Sequence, residues 1–425
     1  MSESEAHVAR LKMKGASRFV PILWLVMLGV QLTFPYRGWV IMLVGLGGAW
    51  LLARIWARSL AGGLSLERET RFRWSQVGDQ MLERLTLVNR SPFPAPWVEL
   101  IDRSSVPMVR RSRAFAIGRS TSLRWHERII CHQRGRFVLG PTTLKTGDPF
   151  GLFDVEVNLA QTASLLVLPP IIAWSSLPVL SQGRDEEGRT TRAQAESGVA
   201  AAQVRPYVPG DSLRRIHWPT SAKYGELHIR QFDRATRGDW LIVLDMTASH
   251  HTGQGPDSTL EACVVLAASV AEYGLTEGRS VGLASVGPEG LVWLSPRQGE
   301  AHRWEILAAL AEVQPGETDM ADLVRLASRR LGGETSLMAI TPSTRLAQFE
   351  PLLAGEGSRR PARAGVVLLE SENAAAGEIG RVSERLRRRG LLTWVIRQSE
   401  LSDALKLRVP HAAAGEKSPS WKQLA

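Results

Sequence analysis

Cysteine is nearly missing from this chain: Cys131 and Cys263 are the two examples in 425 residues. They lie far apart with no C-x-x-C spacing, which excludes a disulfide framework and a zinc knuckle and reads as two buried thiols in a reducing compartment. Signatures of catalysis are missing as well: no G-x-x-x-x-G-K-[ST] phosphate loop, no G-x-S-x-G elbow and no H-E-x-x-H helix. The "GLGG" at 45–48 sits inside an apolar run, where glycine serves close helix packing rather than phosphate binding. Asp185, Glu186 and Glu187 fall in a polar stretch and read as solvation, and His250 and His251 read as exposed loop residues. Low hydrophobicity is not among the deficits, since a 44% hydrophobic share is enough for real cores and excludes a disordered chain.

The formal charge is +10, and its placement decides what it means. Arg10, Lys12, Lys14 and Arg18 precede the apolar run "FVPILWLVMLGVQLTF" (19–34), and Arg54, Arg58, Arg68, Arg71 and Arg73 follow a second, "WVIMLVGLGGAWLLA" (39–53). Each run is slightly short of the ~20 residues of a spanning helix, and each reaches that length when extended over Pro35 and Tyr36 or Ile55 and Trp56. Tyr36, Trp39 and Trp56 suit an aromatic belt, and "PYRG" suits a tight connection. A buried hairpin in a soluble core and a signal peptide are the rival readings; the first run ends in no small-x-small cleavage site. The cation excess on both outer flanks places both ends inside, so the expectation is an inner-membrane protein with two transmembrane helices and cytoplasmic soluble domains. No nucleic-acid motif accompanies the remaining basic stretches, and no nucleic-acid partner is expected.

Five regions follow. Residues 1–58 form a tail and membrane hairpin. Residues 59–171 alternate polar and apolar side chains over short runs, with Leu82, Leu85 and Leu87 set against Glu83, Arg84 and Thr86, and predict a small β-sandwich. Residues 172–204, rich in Ser, Gly, Ala and mixed charge, read as a linker. Residues 205–400 carry a polar motif and then alternate strand and helix, which predicts an α/β domain with a doubly wound, mostly parallel sheet. Residues 401–425 are a tail. Ligands of such sheets bind at the carboxyl ends of strands, which directs attention to Asp245 after "DWLIVL".

The motif "RPYVPGDSLRRIHWPTSAKYGEL" (205–227) carries Arg205, Tyr207, Pro209, Gly210, Asp211, Arg214, Arg215, His217, Trp218, Ser221 and Lys223. Pro209 and Gly210 suit a β-turn, Asp211 suits the N-cap of a short helix that Pro219 ends, and Arg214 or Arg215 shares a helix face with Trp218. One reading is a docking surface; the other is a staple in which a buried Trp218 and arginine–carboxylate bonds lock the linker to the following domain. His217 among cations is a poor general base, because neighbouring cations disfavour its protonated form.

Together with "TGDPFGLF" (146–153, holding Asp148, Pro149, Phe150, Gly151 and Leu152) and "LIVLDMTAS" (241–249), this motif resembles the bacterial domain-of-unknown-function 58 family. The resemblance implies a membrane-anchored, β-rich segment joined to a von Willebrand factor A-like domain, and the company of MoxR-type AAA+ ATPases, other von Willebrand A proteins and transglutaminase-like proteins. It implies no settled activity. Asp245, Thr247 and Ser249 match the D-x-S-x-S pattern of a metal-ion-dependent adhesion site with threonine for the first serine, and Thr318 stands where the distant threonine is expected. Such oxygen ligands suit Mg²⁺, but Pro342 occupies the place of a further aspartate, so the set is incomplete. The alternative is that Asp245 and Ser249 cap the next helix.

The expectation is a non-enzymatic, membrane-bound adaptor that binds protein partners, a MoxR-type ATPase among them. A metal-dependent hydrolase built from Asp245, Asp211 and His217 is the alternative. Alkaline phosphatase fused after Leu60 is expected to be inactive, because that junction lies on the cytoplasmic side; an active fusion overturns the orientation.

Overall fold

A computed structural model describes residues 7–70, 72–107, 111–173, 203–207, 216, 218–231, 239–287, 290–330, 335–354, 364–372 and 377–406. The chain divides between Leu168 and Pro169 into two compact units.

The first unit begins with a strand. β1 (His7–Met13) leads into α1 (Phe19–Thr33) and α2 (Arg37–Gly63), and ten strands follow: β2 (Leu64–Thr70), β3 (Trp74–Gln76), β4 (Gln80–Asn89), β5 (Ala95–Asp102), β6 (Arg111–Ile117), β7 (Thr121–Ile130), β8 (Gly135–Leu139), β9 (Thr142–Gly147), β10 (Phe153–Leu159) and β11 (Ala163–Leu168). They form a five-stranded antiparallel sheet in the order β1-β10-β9-β5-β6, an antiparallel β2-β4-β7 sheet, and a small β3-β11-β8 sheet. Period-two alternation turns Leu64, Leu66, Leu85 and Leu87 of one sheet and Val98, Leu100, Leu144, Val155 and Val157 of another into one core, shared with Ala53, Ala57 and Leu60 of α2. Each large side chain so buried contributes about 1.5–3 kcal/mol.

Three expectations change here. Residues 7–13 are not a tail, because β1 pairs with β10 from His7↔Leu159 to Met13↔Phe153. Trp56 does not extend a membrane span: its ring stacks on Phe93 at 4.7 Å and its indole N–H donates to Pro94 O. The face assignment in β4 is also revised, since Leu82 is exposed while Glu83 is fully buried. The reason is a charge cluster on the inward faces of three strands. Arg68 Nη1 lies 3.0 Å from Glu83 and Nη2 lies 2.8 Å from Asp102, with the Arg68 side chain only 4% exposed.

α2 is long and apolar enough to cross a membrane, and α1 is apolar over 15 residues. Phe19, Leu25, Val26, Leu32, Ile41, Met42 and Val44 are all more than half exposed, an apolar surface too large for water to tolerate cheaply. Between the helices, Trp24 donates its indole N–H to Leu43 O, and a Cβ on Gly47 would stand 2.6 Å from that nitrogen. One of the "GLGG" glycines therefore serves helix packing.

The second unit holds β12 (Gln203–Pro206), α3 (Trp218–Tyr224) and β13 (His228–Gln231), and then the alternation read from the sequence: β14 (Trp240–Leu244), α4 (Thr259–Thr276), β15 (Val281–Gly287), β16 (Gly290–Arg297), α5 (Glu300–Glu312), α6 (Met320–Arg330), β17 (Ser336–Thr341), α7 (Glu350–Ala354), β18 (Ala364–Glu370), α8 (Glu378–Arg388), β19 (Leu392–Arg397) and α9 (Gln398–Lys406). Six strands make one sheet in the order β16-β15-β14-β17-β18-β19, parallel except for the β15–β16 hairpin. All five residues of β14 are buried, as a parallel strand covered on both faces requires. Leu241 and Val243 share a core with Leu323 and Val324 of α6 and Val382 and Leu386 of α8; alternation turns Ile242 and Leu244 to the opposite face. α4 also has the length and hydropathy of a membrane span, but most of it is buried, which marks it as a core helix. Several region limits shift: α2 runs past residue 58 to Gly63, Ile172 is buried with its N–H on Ser269 Oγ, Gln203 and Val204 of β12 pair with β13, and residues 401–406 belong to α9, with Leu401 buried. The linker residues 174–202 lie outside the described residues.

Replacing Arg68 by Leu leaves Glu83 and Asp102 buried without their cation and is expected to cost about 3–5 kcal/mol in denaturation of the detergent-solubilised chain. Replacing all three residues by apolar ones should recover most of that loss. An Arg68→Leu variant as stable as the parent contradicts the cluster.

Candidate functional site

The sheet of the second unit reverses its strand order between β14 and β17, and the chain leaving β14 begins with Asp245. Its N–H donates to Ile340 O of β17, which fixes the backbone at the sheet's carboxyl end. The Asp245 carboxylate is fully buried, and donors on three sides satisfy it. Thr247 N–H donates to Oδ1 at 3.0 Å, while the Thr341 hydroxyl at 2.6 Å and His250 Nδ1 at 2.8 Å both reach Oδ2. A carboxylate can only accept, so His250 Nδ1 carries the hydrogen. By the same logic His251 Nε2–H donates to Asp245 O at 3.0 Å.

These bonds tie three loops together. Thr247 donates its hydroxyl to Thr318 O, Ala248 N–H donates to Gly316 O, and Gly316 N–H donates to Met246 O, so the 316–318 loop is strapped to the loop after β14. Thr341 Oγ1 in turn accepts Ser343 N–H and shapes the loop after β17. Ala248, Ser249, Glu317, Thr318 and Asp319 remain exposed on top of this locked base.

The electrostatics follow from the geometry. Burial pushes Asp245 up, but the hydrogen bonds from His250, Thr341 and Thr247 outweigh it and hold the carboxyl below its ordinary 3.8. Burial lowers His251 below 6.5 despite the nearby Asp245 charge.

The four residues expected to hold Mg²⁺ reach the same end of the sheet without forming a cation site. Three N–H and O–H donors already hold the Asp245 carboxylate, two on Oδ2 and one on Oδ1, the Thr247 hydroxyl donates to a carbonyl, Ser249 is exposed, and Thr318 joins through its main chain. In this arrangement the residues do not fit a Mg²⁺ ion, and among the described residues no three His, Cys, Asp or Glu side chains converge on a possible metal position. The capping alternative is also revised, because Ser258 caps α4 by accepting Glu261 N–H. His250 and His251 are not exposed loop residues: the His250 side chain is 4% exposed, and both rings bond to Asp245. Thr341 and His250 are the partners that sequence reasoning missed. The "ITPS" stretch drew attention to Pro342, one residue beyond the hydroxyl that matters.

Of the 205–227 motif, Pro209, Gly210, Asp211, Arg214, Arg215 and His217 lie outside the described residues, and with them the Asp211–His217 arm of the hydrolase reading. Arg205 lies in β12 opposite Ile229 of β13, and Tyr207 N–H donates to Leu227 O. Ser221 is buried and accepts His228 N–H at 2.9 Å, tying α3 to β13, and Lys223 Nζ lies 5.6 Å from the Tyr224 ring centroid. Trp218 is 67% exposed, not the buried anchor expected. Pro219 does not end a helix; it lies in the first turn of α3, where its missing N–H has no intrahelical partner to lose.

The "TGDPFGLF" stretch lies in the first unit as the β9–β10 turn. Asp148 is buried and accepts the N–H groups of Phe150 and Phe153, at 2.8 and 2.6 Å. Gly151 takes φ +69°, a conformation that favours glycine. Leu152 O accepts both Lys14 N–H and the Ser17 hydroxyl, while Pro149 and Phe150 are exposed.

Residues 203–336, which include the 205–227 motif and the Asp245 loop, match the family described as "Protein of unknown function DUF58" and so support the resemblance read from the sequence. "Uncharacterized protein YeaD" of Bacillus subtilis (strain 168) is 23% identical over 337 residues, which is 77% of this chain and 81% of that protein. "Uncharacterized protein Mb1516" of Mycobacterium bovis is 25% identical over 142 residues, 32% of this chain and 45% of that protein. Among solved structures, the CARDB domain of the PF1109 protein from Pyrococcus furiosus is 9% identical with a TM-score of 0.18, covering 25% of this chain and 94% of that domain; a likeness at that level carries no argument.

Asp245 and His251 both bind protons less readily folded than unfolded, so acid destabilises the second unit. The His251 contribution begins to fall as pH drops through 6.5, and that of Asp245 as it drops below 3.8. Thr341→Val is expected to cost about 1–3 kcal/mol near neutral pH, with the gap from the parent narrowing below the carboxylate range. Denaturation midpoints across pH measure both, and a constant gap contradicts the Thr341–Asp245 bond.

Proposed function

We propose that this chain is a non-enzymatic adaptor anchored in the inner membrane by α1 and α2, with both soluble units in the cytoplasm and a partner protein bound at the carboxyl end of the second unit's sheet. The observation that carries the reading is the Asp245–His250–Thr341 lock at the strand-order reversal. It holds the Ser249 and Thr318 loops in a fixed exposed crest and keeps the Asp245 carboxylate itself out of reach of a substrate. A preordered crest loses little conformational entropy on docking, which favours binding over chemistry.

The fold reading goes further than the sheet order alone. A six-stranded sheet whose chain order runs 3-2-1-4-5-6, with one antiparallel edge strand, suits a doubly wound, von Willebrand A-like domain. The shared core of the β2-β4-β7 and five-stranded sheets suits a β-sandwich. The family resemblance supports a MoxR-type AAA+ ATPase as partner, alongside other von Willebrand A proteins, and no metal is needed to bridge them.

The test places a photocrosslinking side chain at Ser249 or Thr318 in the full chain, solubilised from membranes, and identifies the captured protein. An AAA+ ATPase captured from the crest but not from Ser122 on β7 is the expected result, and its recovery should fall about tenfold, or 1.4 kcal/mol, in a Ser249→Arg, Thr318→Arg variant of unchanged Tm. No ATPase captured, or equal recovery from the double variant, overturns the reading.

A further inference from the structure

One helix of the hairpin is short for the layer it would cross. α1 has 15 residues, about 22 Å at 1.5 Å each, against a hydrocarbon core of about 30 Å. At its far end α2 offers lipid one face only. From Trp50 onward one face turns inward, with the Trp50 ring 6.1 Å from Phe153 and Ala53, Ala57 and Leu60 buried in the β core, while Leu51, Leu52 and Ile55 stay exposed on the other. A short span thins the bilayer around it or draws its own flanks into the interfacial layer. Whatever lies at the base of the hairpin is therefore pulled toward lipid.

The β9–β10 turn lies at that base. Its Leu152 carbonyl accepts from Lys14 and Ser17, the residues that lead directly into α1, and Phe153 beside it packs on Trp50 of α2. Asp148 fastens the turn from within through the N–H groups of Phe150 and Phe153. At the tip of this rigid turn, Phe150 is 53% exposed. A phenyl ring on a turn built so firmly is costly in water and well placed in the acyl–headgroup boundary. Lys14, whose Nζ lies 3.6 Å from Asp154 in a solvent-exposed pair, and Arg18 are both exposed in the segment between the turn and α1, where anionic headgroups would lie.

We infer that the Asp148–Leu152 turn is a third membrane contact, a foot that sets Phe150 into the headgroup boundary of the leaflet from which α1 departs, with Lys14 and Arg18 on anionic lipid. The inference rests on the reading of α1 and α2 as lipid-embedded and gives the "DPFGL" stretch a purpose beyond its turn geometry.

The test uses the full chain in nanodiscs of phosphatidylethanolamine and phosphatidylglycerol. Cys131 and Cys263 are both buried, so a nitroxide can be directed to an added thiol. Labels go at Phe150→Cys and, with the phenyl ring retained, at Pro149→Cys. Ile41→Cys on α2 serves as the lipid reference and Ser122→Cys on β7 as the water reference. Accessibility to oxygen relative to a nickel chelate is expected to be several-fold higher at 149 and 150 than at 122, approaching the value at 41. Water-like values at 149 and 150 with a lipid-like value at 41 overturn the foot and spare the anchor. Water-like values at all four positions overturn both.

Discussion

A carboxylate kept from water at the end of a central strand sets the terms for much of the second unit. Burying the Asp245 charge without compensation would be prohibitive, so the surrounding loops must deliver hydrogen-bond donors to it. They do so from the chain after β14, through Thr247 and His250, and from the end of β17, through Thr341. Because β14 and β17 are the neighbours at which strand order reverses, the charge draws together loops that connect to helices far apart in sequence. A hydrophobic residue at position 245 could fill the space, but it would remove the acceptor that orients Thr247 N–H, the His250 ring and the Thr341 hydroxyl.

The first unit meets the same problem with a different solution. There the buried charges come from three strands of two sheets, and the compensation is an arginine rather than a ring of hydroxyl and imidazole donors. Thr142 and Ser104 add hydroxyls around the Arg68 guanidinium. Arg68 thus links the sheet that holds β2 and β4 to the sheet that holds β5 and β9, beside the core they share with α2.

The strand–helix order of the second unit was legible because its signal is local. "WLIVL" and "VVLL" are apolar runs too short for helices, and "TLEACVVLAASVAEYG" is too long for a strand. The pair of apolar helices near the start was legible in the same way. Side-chain partnership was not. Nothing in the spacing of Thr341 announces a bond to a residue 96 positions earlier, and the inward turn of Glu83 contradicts every expectation of a strand's polar face until Arg68 is seen beside it. Trp218 misled for a related reason, since a large aromatic residue in a motif suggests burial, whereas the first turn of α3 leaves it in solvent. Where a residue's environment is set by a neighbour distant in the chain, pattern alone carries no trace of it.

α2 runs without a break from Arg37 to Gly63, a rod about 40 Å long whose first half is apolar and largely exposed and whose second half packs one face against the β-sheets. A stiff lever of that kind has no hinge in which to dissipate rotation. Any tilt imposed on the exposed apolar half swings the strands packed on the other half by the same angle, so whatever medium surrounds the first half acts as a torque on the sheets of the first unit.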